Sequence, residues 1–135
     1  MNLLNNSSFQ RLQSGLNAAN LRNQVLANNI ANEDTPYFKR SDVAFESLLQ
    51  KEMNSVQGTL QGKRTDPRHF MIGPSGRIPG VSVRSDNSSS MNNNGNNVDV
   101  EREMSLLAEN QLRYNSYVQS VNDQIRIMRA AVEGR

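Results

Sequence analysis

The residues of this 135-residue chain that could do chemistry are few and poorly placed for it. The one histidine, His69, stands in Thr65-Asp66-Pro67-Arg68-His69-Phe70, where Asp66 could orient the imidazole as a carboxylate does in a hydrolytic triad. No serine in a tight strand-to-helix turn accompanies the two, so His69 reads as a turn or surface residue. Glu33 and Asp34 are adjacent, and neighbours on any regular element point in different directions, which suits capping or turn duty better than shared acid-base work. Lys63, Arg64 and Arg68 have the chemistry to touch phosphates, but three basic residues in a turn-rich stretch are ordinarily a solvated surface. With no Cys, disulfides, thiolate zinc sites and Cys nucleophiles are ruled out. No Gly-rich phosphate loop follows a strand, and no Asp, Glu or His cluster has metal-ligand spacing. The sequence therefore predicts no catalytic residue, no metal and no cofactor.

Composition points the same way. Only 36% of residues are hydrophobic and 5% aromatic, with no Trp, while Asn, Ser and Gln number 19, 15 and 9. A single copy of such a chain buries little apolar surface per residue. Lys and Arg total 15 against 13 acids, a net charge of +2 that argues against a nucleic-acid partner. No apolar run approaches the roughly 18 to 20 residues of a membrane span, so no transmembrane segment is expected. Met1-Asn2-Leu3-Leu4-Asn5-Asn6 lacks the basic start and apolar core of a cleaved signal peptide, and none is expected.

What the sequence does specify is helices. Phe9, Leu12, Leu16, Ala19, Asn23, Leu26 and Ile30 follow one another at spacings of three and four, a heptad seam with one polar member. Its outer face is unusual: Met1 to Asn32 holds two charged residues, Arg11 and Arg22, and is otherwise coated with Asn, Gln and Ser. Asn is a poor helix former, which makes the helix marginal alone. Amides hydrogen-bond without the desolvation cost of a charge, so this face suits contact with neighbouring chains. Pro36 stops the pattern. From Asp42 to about Gln57, Val43, Phe45, Leu48, Leu49, Met53 and Val56 predict a second helix capped by Ser41 or Asp42.

Five of the eight Gly and three of the four Pro fall between Gly58 and Val81, marking turns; Phe70-Met71-Ile72 and Val81-Ser82-Val83 are candidates for paired short strands. Ten of the thirteen residues from Ser85 to Asn97 are Ser or Asn, a linker composition. The last segment is the most regular, with Val100, Met104, Leu107, Gln111, Tyr114, Val118, Val121, Ile125, Met128 and Val132 alternating spacings of four and three. Asp99 stands where an N-cap is needed, and Glu101 and Glu103 suit the positive end of the helix dipole. The fold expected is mainly α, with long N- and C-terminal heptad helices packed as a coiled coil and a small irregular, short-strand middle. Whether the seams meet within one chain as a two-helix hairpin or between chains stays open on spacing alone.

The block from Leu21 to Lys39 resembles the N-terminal signature of bacterial flagellar rod and hook proteins, in which a heptad helix runs into an Asn-Asn-Ile-Ala-Asn stretch, a Thr-Pro turn, an aromatic and a Lys. The residues that carry the likeness are Ala27, Asn28, Asn29, Ile30, Ala31, Asn32, Thr35, Pro36, Phe38 and Lys39. Tyr37 departs from the pattern, which often has Gly or Asn there. The short length, the Thr65-Asp66-Pro67-Arg68-His69 segment and the Asn96-Asn97-Val98-Asp99 run resemble the proximal rod members of that family.

The resemblance implies a non-enzymatic structural subunit of the bacterial flagellar basal body, exported through the flagellar type III apparatus and polymerised into the rod outside the cytoplasmic membrane. Its implied partners are other rod proteins, the rod-to-ring junction, the export gate and further copies of itself. The division expected is residues 1–36 for the first coiled-coil helix and Thr-Pro turn, 37–84 for an outer region, 85–97 for a flexible linker and 98–135 for the last helix. Phe9, Leu12, Leu16, Leu26, Met104, Leu107, Tyr114, Val118, Val121, Ile125 and Met128 are the expected helix-packing residues. A coiled-coil adaptor or regulator that builds no filament is the alternative.

Overall fold

A computed structural model describes residues 7–56, 66 and 78–134 of the chain. His69, the basic residues Lys63, Arg64 and Arg68, and the strand candidate Phe70-Met71-Ile72 lie outside the described residues.

The first heptad pattern folds as α1 (Ser7–Ala31) and the last as α3 (Val100–Glu133), 25 and 34 residues long. At a rise of about 1.5 Å per residue, α3 is roughly 50 Å from end to end. Asp99 caps it, its side chain accepting from the Arg102 amide, and Gly134 ends it in the left-handed region at φ 69, its N–H donating to the Ala130 carbonyl. Beyond α1 the chain turns through Asn32, Glu33 and Thr35, whose amides donate to the carbonyls of Asn29, Ile30 and Asn32.

The second helix starts later than the sequence predicts. Ser41–Ala44 is a strand, β1, and α2 spans Glu46–Val56. Val43 and Phe45 are both buried, a spacing of two that belongs to extended chain and was absorbed into the helical pattern that follows. β1 pairs antiparallel with β2 (Ser82–Ser85), Ser41 opposite Ser85 and Ala44 opposite Ser82. The 81–83 strand candidate thus overlaps an observed strand whose partner is β1.

The long helices pack antiparallel within the single chain. Gln124 reaches Ser8, Tyr117 lies over Gly15, Asn110 donates to Ala19 and Asn23, and Asn29 donates to Glu103. This seam is rolled by about one residue from the row of largest side chains. It keeps Leu12, Ala19, Leu26, Leu107, Tyr114, Val121 and Met128, at least half-buried, but draws in Gly15, Asn29, Glu103, Asn110 and Tyr117. Phe9, Leu16 and Val118 are half-buried at its edge. Met104 and Ile125, also expected in the packed seam, remain 57% and 40% exposed because the roll carries them outward.

Gly15 permits the close approach: a Cβ there would meet the Tyr117 ring at 3.0 Å. Gly15→Val is expected to destabilise the fold by about 1 to 3 kcal/mol through overpacking, read as a lower urea midpoint of helix unfolding by circular dichroism.

Candidate functional site

The most highly organised part of the molecule is a joint built from amide side chains, where the end of α1, the lead-in to β1, the segment before α3 and the first turn of α3 converge. At its centre the Glu103 side chain is completely buried and accepts from Arg40 Nε through Oε1 and from Asn29 Nδ2 through Oε2, both at 2.8 Å. Isolating a carboxylate from water is expensive, and it is tolerated here because both oxygens are bonded and a guanidinium balances the charge. Glu103, expected to serve the helix dipole, is instead the residue on which α1 and α3 are fastened.

Asn29 does two jobs from one buried side chain. Besides Glu103, its Nδ2 donates to the Ser41 carbonyl at 2.8 Å and its Oδ1 accepts from the Ser41 amide at 3.0 Å. A side-chain amide presents the same donor and acceptor as a peptide group, so Asn29 pairs with Ser41 as another strand would and starts β1 where it does.

Asn96 and Asn97 repeat the device. Asn96 Nδ2 donates to the carbonyls of Asn32, Glu33 and Thr35 at 2.9, 2.7 and 3.1 Å, which satisfies the turn after α1, while its Oδ1 accepts from the Val98 amide. Asn97 Oδ1 accepts from the Arg40 amide at 2.7 Å, and its Nδ2 donates to the Asp86 carbonyl and the Ser89 hydroxyl, both at 2.9 Å. Lys39 Nζ donates to the carbonyls of Ser89 and Gly95. A flexible linker is expected over 85–97 from composition; its final residues carry dense hydrogen bonding, because closely spaced Asn supplies amides that stand in for backbone.

The joint also accounts for Tyr37. Its φ of 60 lies in the left-handed region, its amide donates to the Asn94 carbonyl, and its ring covers Gly95, which itself has φ 78. A Cβ on Gly95 would come within 2.9 Å of that ring. Gly or Asn adopts such a φ more readily than Tyr, which gives the departure at this position its physical meaning.

Of the motif residues, Asn29, Asn32, Thr35 and Lys39 bond within the joint or its turn, Ile30 and Phe38 are half-buried, and Ala27, Asn28, Ala31 and Pro36 are exposed. Sequence reasoning missed Arg40, Glu103 and Asn110, and it took Asn96 and Asn97 only as the approach to the last helix. For Glu103 and Asn110 the one visible signal is polarity at positions next to the heptad row of α3.

Beside the joint a cleft of about 490 Å³ runs between α1, β1 and α3, lined by Arg22, Arg40, Arg84, Arg102 and Arg113 together with Asp42, Glu46 and Glu109. Glu46 accepts from both Arg22 and Arg113. Burial pushes the Glu46 carboxyl up, but the Arg22 hydrogen bond and the nearby positive charges outweigh it and leave it below its ordinary value. The Arg22 guanidinium, bonded to Glu46, is held above its own ordinary value despite partial burial. In the segment before Asn97, hydrogen bonds from Ser89 and Ser88 hold the Asp86 carboxyl at about 2. No group of three or more His, Cys, Asp or Glu among the described residues could hold a metal, and no described helix is long and apolar enough to cross a membrane. Glu33 and Asp34 sit exposed in the turn after α1.

Comparison with known proteins finds relatives among flagellar rod proteins. A family model described as flagella basal body rod protein covers residues 9–39, the stretch that forms α1 and its turn into the joint. The flagellar basal body rod protein FlgB of Bacillus subtilis is 35% identical over 94% of each chain, and that of Proteus mirabilis 36% identical over 94% of each. The FlgB of Borreliella burgdorferi is 39% identical over 73% of this chain and 76% of its own. These relatives and the matched segment 9–39 place the chain in the class of flagellar rod structural proteins. Within that class, the chain belongs to the FlgB family of flagellar basal body rod proteins.

Arg40→Met strands the Glu103 carboxylate and is expected to cost about 3 to 5 kcal/mol, whereas Arg113→Met, at an exposed pair, should cost under about 1 kcal/mol; urea unfolding of the two variants measures the contrast. The depressed carboxyls also fix a pH dependence. Because Glu46 and Asp86 are more acidic folded than at their ordinary 4.5 and 3.8, the unfolded chain takes up protons first, and stability present above those values is lost as pH falls. The urea midpoint should decline from about pH 5 downward. Glu46→Gln should remove the upper part of the decline and Asp86→Asn the part that extends to about pH 2.

Proposed function

We propose that this chain is a structural subunit of the proximal flagellar basal-body rod, acting by assembly and not by catalysis. The observation that carries the reading is that residues 9–39, matched to rod proteins, fold as α1 and the turn, and this segment is tied to α3 through Asn29 and Glu103 and to the segment before α3 through Asn96. A rod subunit has to present long helices in a fixed mutual register to its neighbours, and such a joint provides that register.

The nearly uncharged surface of α1 suits contact with other rod proteins, since neutral amides form hydrogen bonds across an interface at a lower desolvation cost than ions. Phe9, Leu16, Met104, Val118 and Ile125, at the edge of the internal seam or outside it, are proposed to complete their burial against neighbouring helices. Export through the flagellar type III gate fits a chain without Cys, in which no disulfide can form before passage. Within the basal body the rod-to-ring junction is a further proposed partner. Non-enzymatic action is supported by the relatives, which are described as flagellar basal body rod proteins.

Deleting the gene from a motile host is expected to abolish assembled flagella, and the intact gene supplied in trans should restore them. Normal flagella in the deletion strain, counted by electron microscopy, would remove the proposal.

A further inference from the structure

The two strands of the ribbon are finished differently at their outer edges. The Asp86 amide donates to the Arg40 carbonyl, which fixes the alternation of the ladder: backbone groups of Asp42 and Ala44 face β2, and those of Ser41 and Val43 face away from it. Each outward group on β1 has a partner. Asn29 takes both the amide and the carbonyl of Ser41, the Asp42 carboxylate accepts from the Val43 amide, and Arg22 donates to the Val43 carbonyl. On β2 the same alternation turns the amides and carbonyls of Val83 and Ser85 outward, and none of the four is bonded among the described residues. Val83 is 49% exposed, whereas Val43, opposite it in the ladder, is buried. Between the two outward residues stands Arg84, on the other face of the ribbon, where it lines the cleft. The carboxylates around it are engaged: Glu46 with Arg22, Glu109 with Arg113, Glu103 with Arg40, and Asp42 with the Val43 amide. Arg84 makes no ion pair among the described residues.

We propose that β2 receives an extended acidic segment of another protein as the third strand of this sheet. Main-chain bonds to Val83 and Ser85 supply the attachment, as in other cases of strand addition. The period of two then dictates the side chains of the incoming strand. On one face it sets an apolar residue beside Val83 and extends the cover over Val43. On the other it sets a carboxylate beside Arg84, which supplies the guanidinium with the partner the chain itself withholds. The same arginine discourages indiscriminate pairing, since a charge on an open edge repels apolar and basic strands and admits an acidic one. The contrast with β1 gives the edge its meaning: side chains close one side of the ribbon completely and leave the other bare. The contact uses neither long helix, and it names a surface to which the rod reading assigns no partner.

Proline at position 83 tests the edge while sparing the ladder, because the amide it removes faces away from β1. Val83→Pro and Val83→Thr would be made in the full chain, with circular dichroism showing that the helices persist. In a deletion strain Val83→Thr is expected to restore flagella and Val83→Pro to lower their number at least about tenfold. Arg84→Glu should act like Val83→Pro, and Arg84→Lys should not. Normal flagella with Val83→Pro or with Arg84→Glu would overturn the proposal. Hydrogen exchange of the unmodified chain gives a reading that needs no variant. The amides of Val83 and Ser85 should exchange at least about tenfold faster than that of Arg84, which faces β1. A synthetic peptide alternating Val and Glu should slow them, and one alternating Val and Lys should not. Slow exchange in the dilute chain would show the edge already covered from within, and slowing with protein concentration alone would show a second copy on it; either result, or no response to the acidic peptide, overturns the proposal. The flagellar counts rest on the rod reading and the exchange measurements do not, so failure of the unmodified gene to restore flagella would count against that reading alone.

Discussion

The buried carboxylate of Glu103 is the constraint on which the rest of the structure depends. A heptad seam is repetitive, and sliding one helix along the other by seven residues preserves most apolar contacts. Such a slip would take Glu103 from Asn29 and Arg40 and leave a charge uncompensated away from water. Asn110, which donates to Asn23 and to the Ala19 carbonyl, adds a second rung that only one register satisfies. Polar groups in the seam therefore select the alignment, and the apolar rows supply the adhesion once the alignment is set. Because Arg40 also bonds through its backbone to Asn97 and Asp86, the same choice fixes where β1 begins and how the segment before α3 runs.

The abundance of Asn acquires a structural meaning in this light. Asn29, Asn96 and Asn97 are all buried, and each uses its amide as a substitute peptide group to satisfy backbone atoms that no helix or strand reaches. A chain that turns sharply between two helices and a two-stranded ribbon has many such orphan groups. Supplying their partners from side chains lets a short segment make the turn with few apolar residues. The Asn and Gln on the outside of α1 apply the same chemistry to another purpose, a surface that is at home in water and inexpensive to bury.

How much of this was legible in the sequence depends on the range of the interaction. The two long helices and the Asp99 cap follow from local spacing, and they fold as read. The start of α2 differs from the expectation because the two-residue spacing of Val43 and Phe45 is a short extended signal beside the longer helical pattern that follows, and its partner, Ser82–Ser85, lies about forty residues away. The joint was visible only as a family likeness, since Glu103 and Asn29 are ordinary helix residues until their 74-residue separation is closed by the fold. Within the single chain the helices approach where the side chains are smallest, at Gly15 beneath Tyr117, a place that the row of largest apolar side chains does not mark. Residues 57–65 and 67–77, where the lone histidine and basic cluster lie, are outside the described residues.

The place of closest approach bears on how such a subunit acquires stability. Apart from Leu26, the internal seam spends its best-buried positions on small and polar groups, and Asn110 Oδ1 is enclosed without a hydrogen-bond partner among the described residues. An unsatisfied buried acceptor costs about 1 to 3 kcal/mol, a sizeable fraction of the roughly 5 to 15 kcal/mol that holds a small domain folded. Meanwhile Met104, Ile125 and Val132, with exposures of 57%, 40% and 69%, keep apolar surface in water. The single chain is thus specified more firmly than it is stabilised. Burial of the outward rows by a partner adds free energy to the folded form alone, so stability rises with the concentration of that partner by mass action. A pair of helices arranged in this way has its register set before assembly and draws part of its strength from assembly, a division that follows from where the polar and apolar residues of the two heptads stand.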